Sequence, residues 1–149
     1  MNFKVITLAL AMGAAMAQAA ADKVIGFYPY WSQYSQFYAK DIRYNLVTDI
    51  HYMSITPTAE GTVAFADEYD AENFKNLANM SKENGVKLIV SVGGMEAESS
   101  LKAIVSSDET LSSFVSNVKE WISTNGGDGV ELDNRRSEER RVGKERRSR

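Results

Sequence analysis

Three carboxylates follow one another in the run Asp128-Gly129-Val130-Glu131-Leu132-Asp133. Glu131 and Asp133 are two apart, and on a β-strand such a pair points to one face, one step above the other. Stacking carboxyls on one face raises the proton affinity of one of them, as general acid chemistry near neutral pH requires. Taken alone, the same acids could be a solvated loop or an incoming helix cap. Ser91-Val92-Gly93-Gly94 places a hydroxyl just ahead of two glycines. Ser91 can bond a carboxylate or fill a small core position, and Gly93 and Gly94 permit a turn or a close approach. An aromatic run from Phe27 to Tyr44 offers ring faces that can stack on a ligand. Trp31 and Tyr34 are the contact candidates, with Tyr28 a third at a strand end, while the remaining rings read as core. His51, the single histidine, has no ligand companions at metal-binding spacing and reads as a buried, satisfied imidazole. No metal site, cofactor motif, phosphate loop or nucleophile elbow is found.

The elements that must position these groups alternate in type. Apolar β-rich runs at 24–28, 46–55, 86–92 and from 129 predict four strands, and runs apolar on both faces suit parallel strands covered by helices. In the second, His51, Met53 and Ile55 are expected on one side, with Ile50, Tyr52 and Ser54 on the other. Asp70 is expected to cap a helix bearing Phe74, Leu77 and Ala78, closed by Gly85 in a left-handed conformation. A short helix is expected between Glu96 and Val105. A longer one, capped by Ser107 or Asp108, carries Leu111, Phe114, Val115, Val118 and Ile122 and ends at Gly126-Gly127. This is α/β grammar, which by itself does not choose between an open sheet and a barrel.

The chain has 149 residues and a net charge of −3, and that average hides two atypical ends. Residues 1–21 read as a bacterial-type signal peptide: Lys4, an apolar run, then Ala17-Gln18-Ala19 as a cleavage pattern. The run is too short to span a bilayer, so a secreted or periplasmic location is expected, with no membrane association after cleavage. Residues 134–149 carry seven Arg and one Lys against three Glu, a net of +5, which leaves −8 for residues 1–133. The stretch from Arg136 to Glu145 matches the in-frame translation of a common sequencing-library adapter, so 134–149 is read as a non-native basic tail. The acidity of the remainder argues against nucleic acid as a partner, and the absence of cysteine is compatible with export.

Three segments together resemble the amino-terminal half of the family 18 glycoside hydrolases, the chitinase-like (β/α)8 TIM barrels. Val24-Ile25-Gly26-Phe27-Tyr28-Pro29-Tyr30-Trp31 is similar to that family's first strand and aromatic loop. Ser91-Val92-Gly93-Gly94 matches its S-x-G-G signature, and Asp128 to Asp133 matches the start of D-G-x-D-x-D-x-E. The resemblance covers residues 23–133, about four of the eight βα units of such a barrel. It implies hydrolysis of β-1,4 bonds in chitin or another N-acetylglucosamine-containing polysaccharide, by substrate-assisted retaining chemistry and without a cofactor. Asp128, Glu131 and Asp133 are then the catalytic-motif acids, with Asp133 orienting the substrate's acetamido group; Tyr28, Trp31, Tyr34 and Ser91 are the substrate-binding candidates, the rings by stacking on sugar faces, and Gly93, Gly94 and Gly129 are structural. Glu131 stands where the family usually has aspartate. Arg135 occupies the position of the proton-donating glutamate, and a guanidinium stays protonated, so the chain as written is expected to be inactive. A non-catalytic carbohydrate-binding relative, a lectin or inhibitor, is the alternative.

Overall fold

The computed structural model describes residues 22–134. The expected signal peptide, Arg135 and the basic tail beyond it lie outside the described residues. The elements run β1 (Ile25–Pro29), a set of short 3-10 turns, β2 (Asp49–Pro57), β3 (Val63–Phe65), α1 (Asp70–Glu83), β4 (Lys87–Gly93), α2 (Glu98–Ile104), α3 (Asp108–Asn125) and β5 (Gly129–Asp133). Four strands form a parallel sheet in the order β1-β2-β4-β5, with β3 folded back antiparallel onto the end of β2. Each parallel step from β2 onward is bridged by helix, as parallel pairing demands.

The core lies between the sheet and the helices. Ile50 and Tyr52 of β2, and Leu88, Val90 and Val92 of β4, are buried with Phe74 and Leu77 of α1, Leu101 and Ile104 of α2, and Phe114, Val118 and Trp121 of α3. Phe74, Phe65 and Trp121 form an aromatic triangle with ring centroids 5.0–5.7 Å apart. It ties α1 and α3 to the small β3 strand.

Of the two expected caps of α3, Ser107 serves, its hydroxyl accepting from the Thr110 amide at 3.2 Å. Other expectations are corrected by local chemistry. The buried stripe of α3 is Phe114, Val118 and Trp121, while Leu111 and Val115 remain exposed. Ile55 does not share a face with His51. The register slips between Met53 and Ile55, where the Met53–Ser54 peptide is cis, and Ile55 enters the core. The β3 hairpin is a further difference: the Thr58 amide bonds the Thr62 carbonyl, and Gly61 takes φ +85° in the turn.

Asp70 is not a cap either. It is the first residue of α1, fully buried, and its carboxylate accepts from the Tyr52 phenol and from Asn73 Nδ2 (3.2 Å). Asn73 Oδ1 in turn accepts from the Tyr28 phenol at 2.9 Å, which completes a polar chain across the sheet–helix interface. Burial holds the Asp70 carboxyl above its usual range, and the hydrogen bonds from Tyr52 and Asn73 draw it partly back. Asp70 therefore withdraws stability as pH rises from its ordinary value through its higher folded value. Tyr52→Phe removes a donor from a buried carboxylate and should cost about 2 kcal/mol. The deficit, measured by urea unfolding, should be largest at neutral pH and shrink in acid as Asp70 protonates. An equal deficit at both pH values would contradict this.

Candidate functional site

The sheet face opposite the helices gathers the chemistry. In register across it, Phe27, His51, Ile89 and Gly129 form one row, and Pro29, Met53, Ser91 and Glu131 form the next. Gly93 and Asp133 pair one step higher, at the carboxyl ends of β4 and β5. Glu131 and Asp133 thus lie on the same face by simple alternation.

Glu131 is the centre of the cluster. Its Oε2 accepts from Ser91 Oγ at 2.9 Å and lies 2.7 Å from His51 Nδ1. Ser91 is buried, the His51 side chain is 14% exposed, and the Glu131 side chain is 40% exposed toward the open face. The edge of one ring meets the face of the other where Phe27 packs on His51, with centroids 5.5 Å apart. His51 Nε2 is buried without a hydrogen-bond partner among the described residues. The hydrogen bond from His51 outweighs the opposing effect of burial and, with a smaller contribution from Ser91, holds the Glu131 carboxyl below the usual glutamate range. Glu131 therefore contributes stability above its ordinary value that is lost as pH falls through the folded value.

The two glycines have a definite task. A Cβ on Gly93, whose φ is +125°, would lie 2.4 Å from the Asp133 carbonyl oxygen. That same carbonyl accepts from the Gly94 amide at 3.0 Å, and the Gly93 carbonyl accepts from Ser54 Oγ at 3.0 Å. The close approach is to the backbone of β5, so the tetrapeptide 91–94 holds Glu131 by its side chain and Asp133 by its main chain. Gly129 leaves room for Ile89, whose Cδ1 would sit 3.0 Å from a Cβ there.

Other sequence candidates are placed elsewhere. Asp128 precedes β5, about 16 Å along the strand from Asp133. Its carboxylate accepts from the Leu88 amide at 2.8 Å, and its own amide donates to the Leu88 carbonyl at 2.7 Å. This acid fastens the amino-terminal end of β5 to β4, which removes it from the catalytic set. Tyr28 points to the helix side, buried on Asn73 and the Phe37 carbonyl. It is therefore not a sugar contact, because alternation gives the open face to its neighbour Phe27, 63% exposed. Trp31 and Tyr34 are exposed in the 3-10 turn directly after β1. Trp31 packs edge-on against Tyr30, and Tyr34 donates to Asp67, a bond that pushes the phenol's pKa up to about 12. His51 is the residue that sequence reasoning left out of the site. The signal available was its place, two before Met53, on a strand face shared with the acids. No group of three metal-ligating side chains converges among the described residues, and none of the described helices is long and apolar enough to cross a membrane.

Comparison with known proteins supplies an independent frame. The family described as Glycosyl hydrolases family 18 matches residues 23–145. The structure is similar to a Group IV chitinase of Ostrinia furnacalis, with TM-score 0.71 and 30% identity over 78% of this chain and 35% of that one. It is similar in fold to a Cycas revoluta chitinase in complex with (GlcNAc)3, with TM-score 0.68 and 21% identity over 75% of this chain and 34% of that one. Human YKL-39, described as a pseudo-chitinase with retained chitooligosaccharide binding, gives TM-score 0.63 and 19% identity over 74% of this chain and 32% of that one. The chain thus spans about a third of the length of these structures. No match is found among curated proteins.

Proposed function

The chain belongs to glycosyl hydrolases family 18, and from that premise we propose that it is the amino-terminal part of an exported chitinase-like glycosidase. The whole protein would act on chitin or related N-acetylglucosamine-containing polysaccharides. Residues 1–21 would direct export, to the periplasm or the medium, and be removed. The observation that carries this reading is the convergence of Ser91, His51 and Glu131 on one face, with Asp133 one step nearer the carboxyl ends of the strands. Active sites of parallel barrels occupy that end.

In this reading Asp133 orients the acetamido group of the sugar, whose carbonyl oxygen attacks the anomeric carbon as the glycosidic bond breaks. Water then opens the cyclic intermediate with net retention. Departure of the leaving sugar needs a proton donor two residues beyond Asp133, and Arg135 stands there. A guanidinium does not give up its proton at working pH. This chain is therefore proposed to bind without hydrolysing. The second reading, a non-catalytic carbohydrate-binding relative, turns on the residue native to that position, because Arg135 falls in the stretch read as non-native.

A chromogenic chitobiose substrate incubated with the chain should release no chromophore, and release above the buffer blank would refute the inactive assignment. Titration with chitotetraose, followed by amide shifts, should perturb Ser91, Glu131 and Asp133. Asp133→Ala should weaken binding by about tenfold, a loss equivalent to roughly 1.4 kcal/mol. Shifts confined to other surfaces would sink the sugar reading. In the uncorrupted gene, glutamate two places after Asp133 supports the enzyme, and glutamine or leucine there supports the binding protein.

A further inference from the structure

Glu131 and His51 are 80 residues apart in sequence and two strands apart in the sheet, with β4 between them. Adjacent strands are spaced by about 4.8 Å, so the contact must cross about 10 Å of sheet and descend one row. Glutamate has the reach. Aspartate at position 131 would fall short by one methylene, about 1.5 Å. Ser91, on the intervening strand, takes the same oxygen from the side. Phe27 backs the imidazole ring from β1. The polar groups facing the carboxylate are thus His51 from β2, Ser91 from β4 and Asp133 from its own strand. Lower on the same face, Asp49 is paired with Lys23 at 3.2 Å and lies in register with Lys87.

We propose that His51 is a positioning residue of the site, fixing the direction and reach of the Glu131 carboxylate so that it is held beside Ser91 and beneath Asp133. The long acid and the imidazole form one unit, because each has the length and location the other needs. The low proton affinity of Glu131 agrees with such a unit. Its service to a sugar site rests on the reading above, whereas the histidine–glutamate unit itself does not.

With one histidine in the chain, imidazole proton and nitrogen spectra report His51 alone. The full chain should show a downfield, exchange-protected Nδ1 proton. Glu131→Asp, which keeps the charge and shortens the arm, should lose that signal, and Asp133→Asn should keep it. An unchanged signal in Glu131→Asp would overturn the proposal. Should that variant fail to fold, the carboxyl carbon of Glu131 decides. Its titration midpoint should move upward toward the ordinary glutamate range in His51→Leu, and an unmoved midpoint would overturn the proposal. If the unsubstituted chain ignores chitotetraose, the sugar reading fails while both spectral outcomes still decide the role of His51.

Discussion

Gly93→Ala should destabilise the chain by roughly 3 kcal/mol and detach the end of β4 from β5. Two causes act together. The residue has φ +125°, a conformation that side-chain-bearing residues rarely adopt, and the new methyl would lie 2.4 Å from the Asp133 carbonyl oxygen. Backbone cannot swing aside as a flexible side chain does, so either the strand ends separate or residue 93 changes conformation. Both results break the Gly94–Asp133 hydrogen bond and the alignment of Ser91 with Glu131. Urea unfolding measures the loss, and amide shifts at Ser91, Glu131 and Asp133 locate it. A variant within about 0.5 kcal/mol of the parent, with those shifts unmoved, would show that the close approach is not required. Gly94→Ala is the informative partner, because a Cβ there meets only Ser54 Oγ, at 3.6 Å, although φ is +112°. It should cost less.

Phe74→Ala should cost more still, about 4 kcal/mol, by the same unfolding measurement. Phe74 is 1% exposed and touches Tyr52 at a centroid distance of 4.8 Å, as well as Phe65 and Trp121. Four elements meet on this ring: β2, β3, α1 and α3. The surrounding rings are held edge-to-face or tilted against one another and cannot collapse into the space without losing that geometry. Phe74→Leu keeps most of the volume and should recover more than half of the loss. A cost below 2 kcal/mol for the alanine variant would mean that the aromatic triangle repacks freely.

Much of this arrangement was legible in the residues. The four parallel strands announced themselves as apolar runs, because both faces of each were expected to be covered. The order of the aromatic loop, the Ser-x-Gly-Gly turn and the acidic strand pointed to the family that matches residues 23–145. What escaped had physical reasons. The β3 strand is three residues long, too short to show a period. A register slip moved Ile55 to the other face, and such slips leave no mark in hydrophobic alternation. Alternation also fixes two faces without saying which is which, so Phe27 and Tyr28 are exchangeable in the sequence, and the bond to Asn73 assigns the tyrosine to the helix side. Asp70 resembles a cap in the sequence because caps and buried acids use the same residue type, and its bonds from the Tyr52 phenol and Asn73 distinguish the two. Asp128 shares a motif with Glu131 and Asp133, yet it lies just before the strand that carries them. The His51–Glu131 contact joins residues too distant in sequence for any local pattern to connect.

Among the described residues β5 is hydrogen-bonded to β4 alone, whereas β2 and β4 each have neighbours on both sides. Its outward residues, Val130 and Leu132, are 44% and 60% exposed. Deuterium should therefore replace amide hydrogens in β5 well before those of β2 and β4. Both acids of the cluster ride on that strand, so the site should open and close on a faster clock than the sheet that carries it.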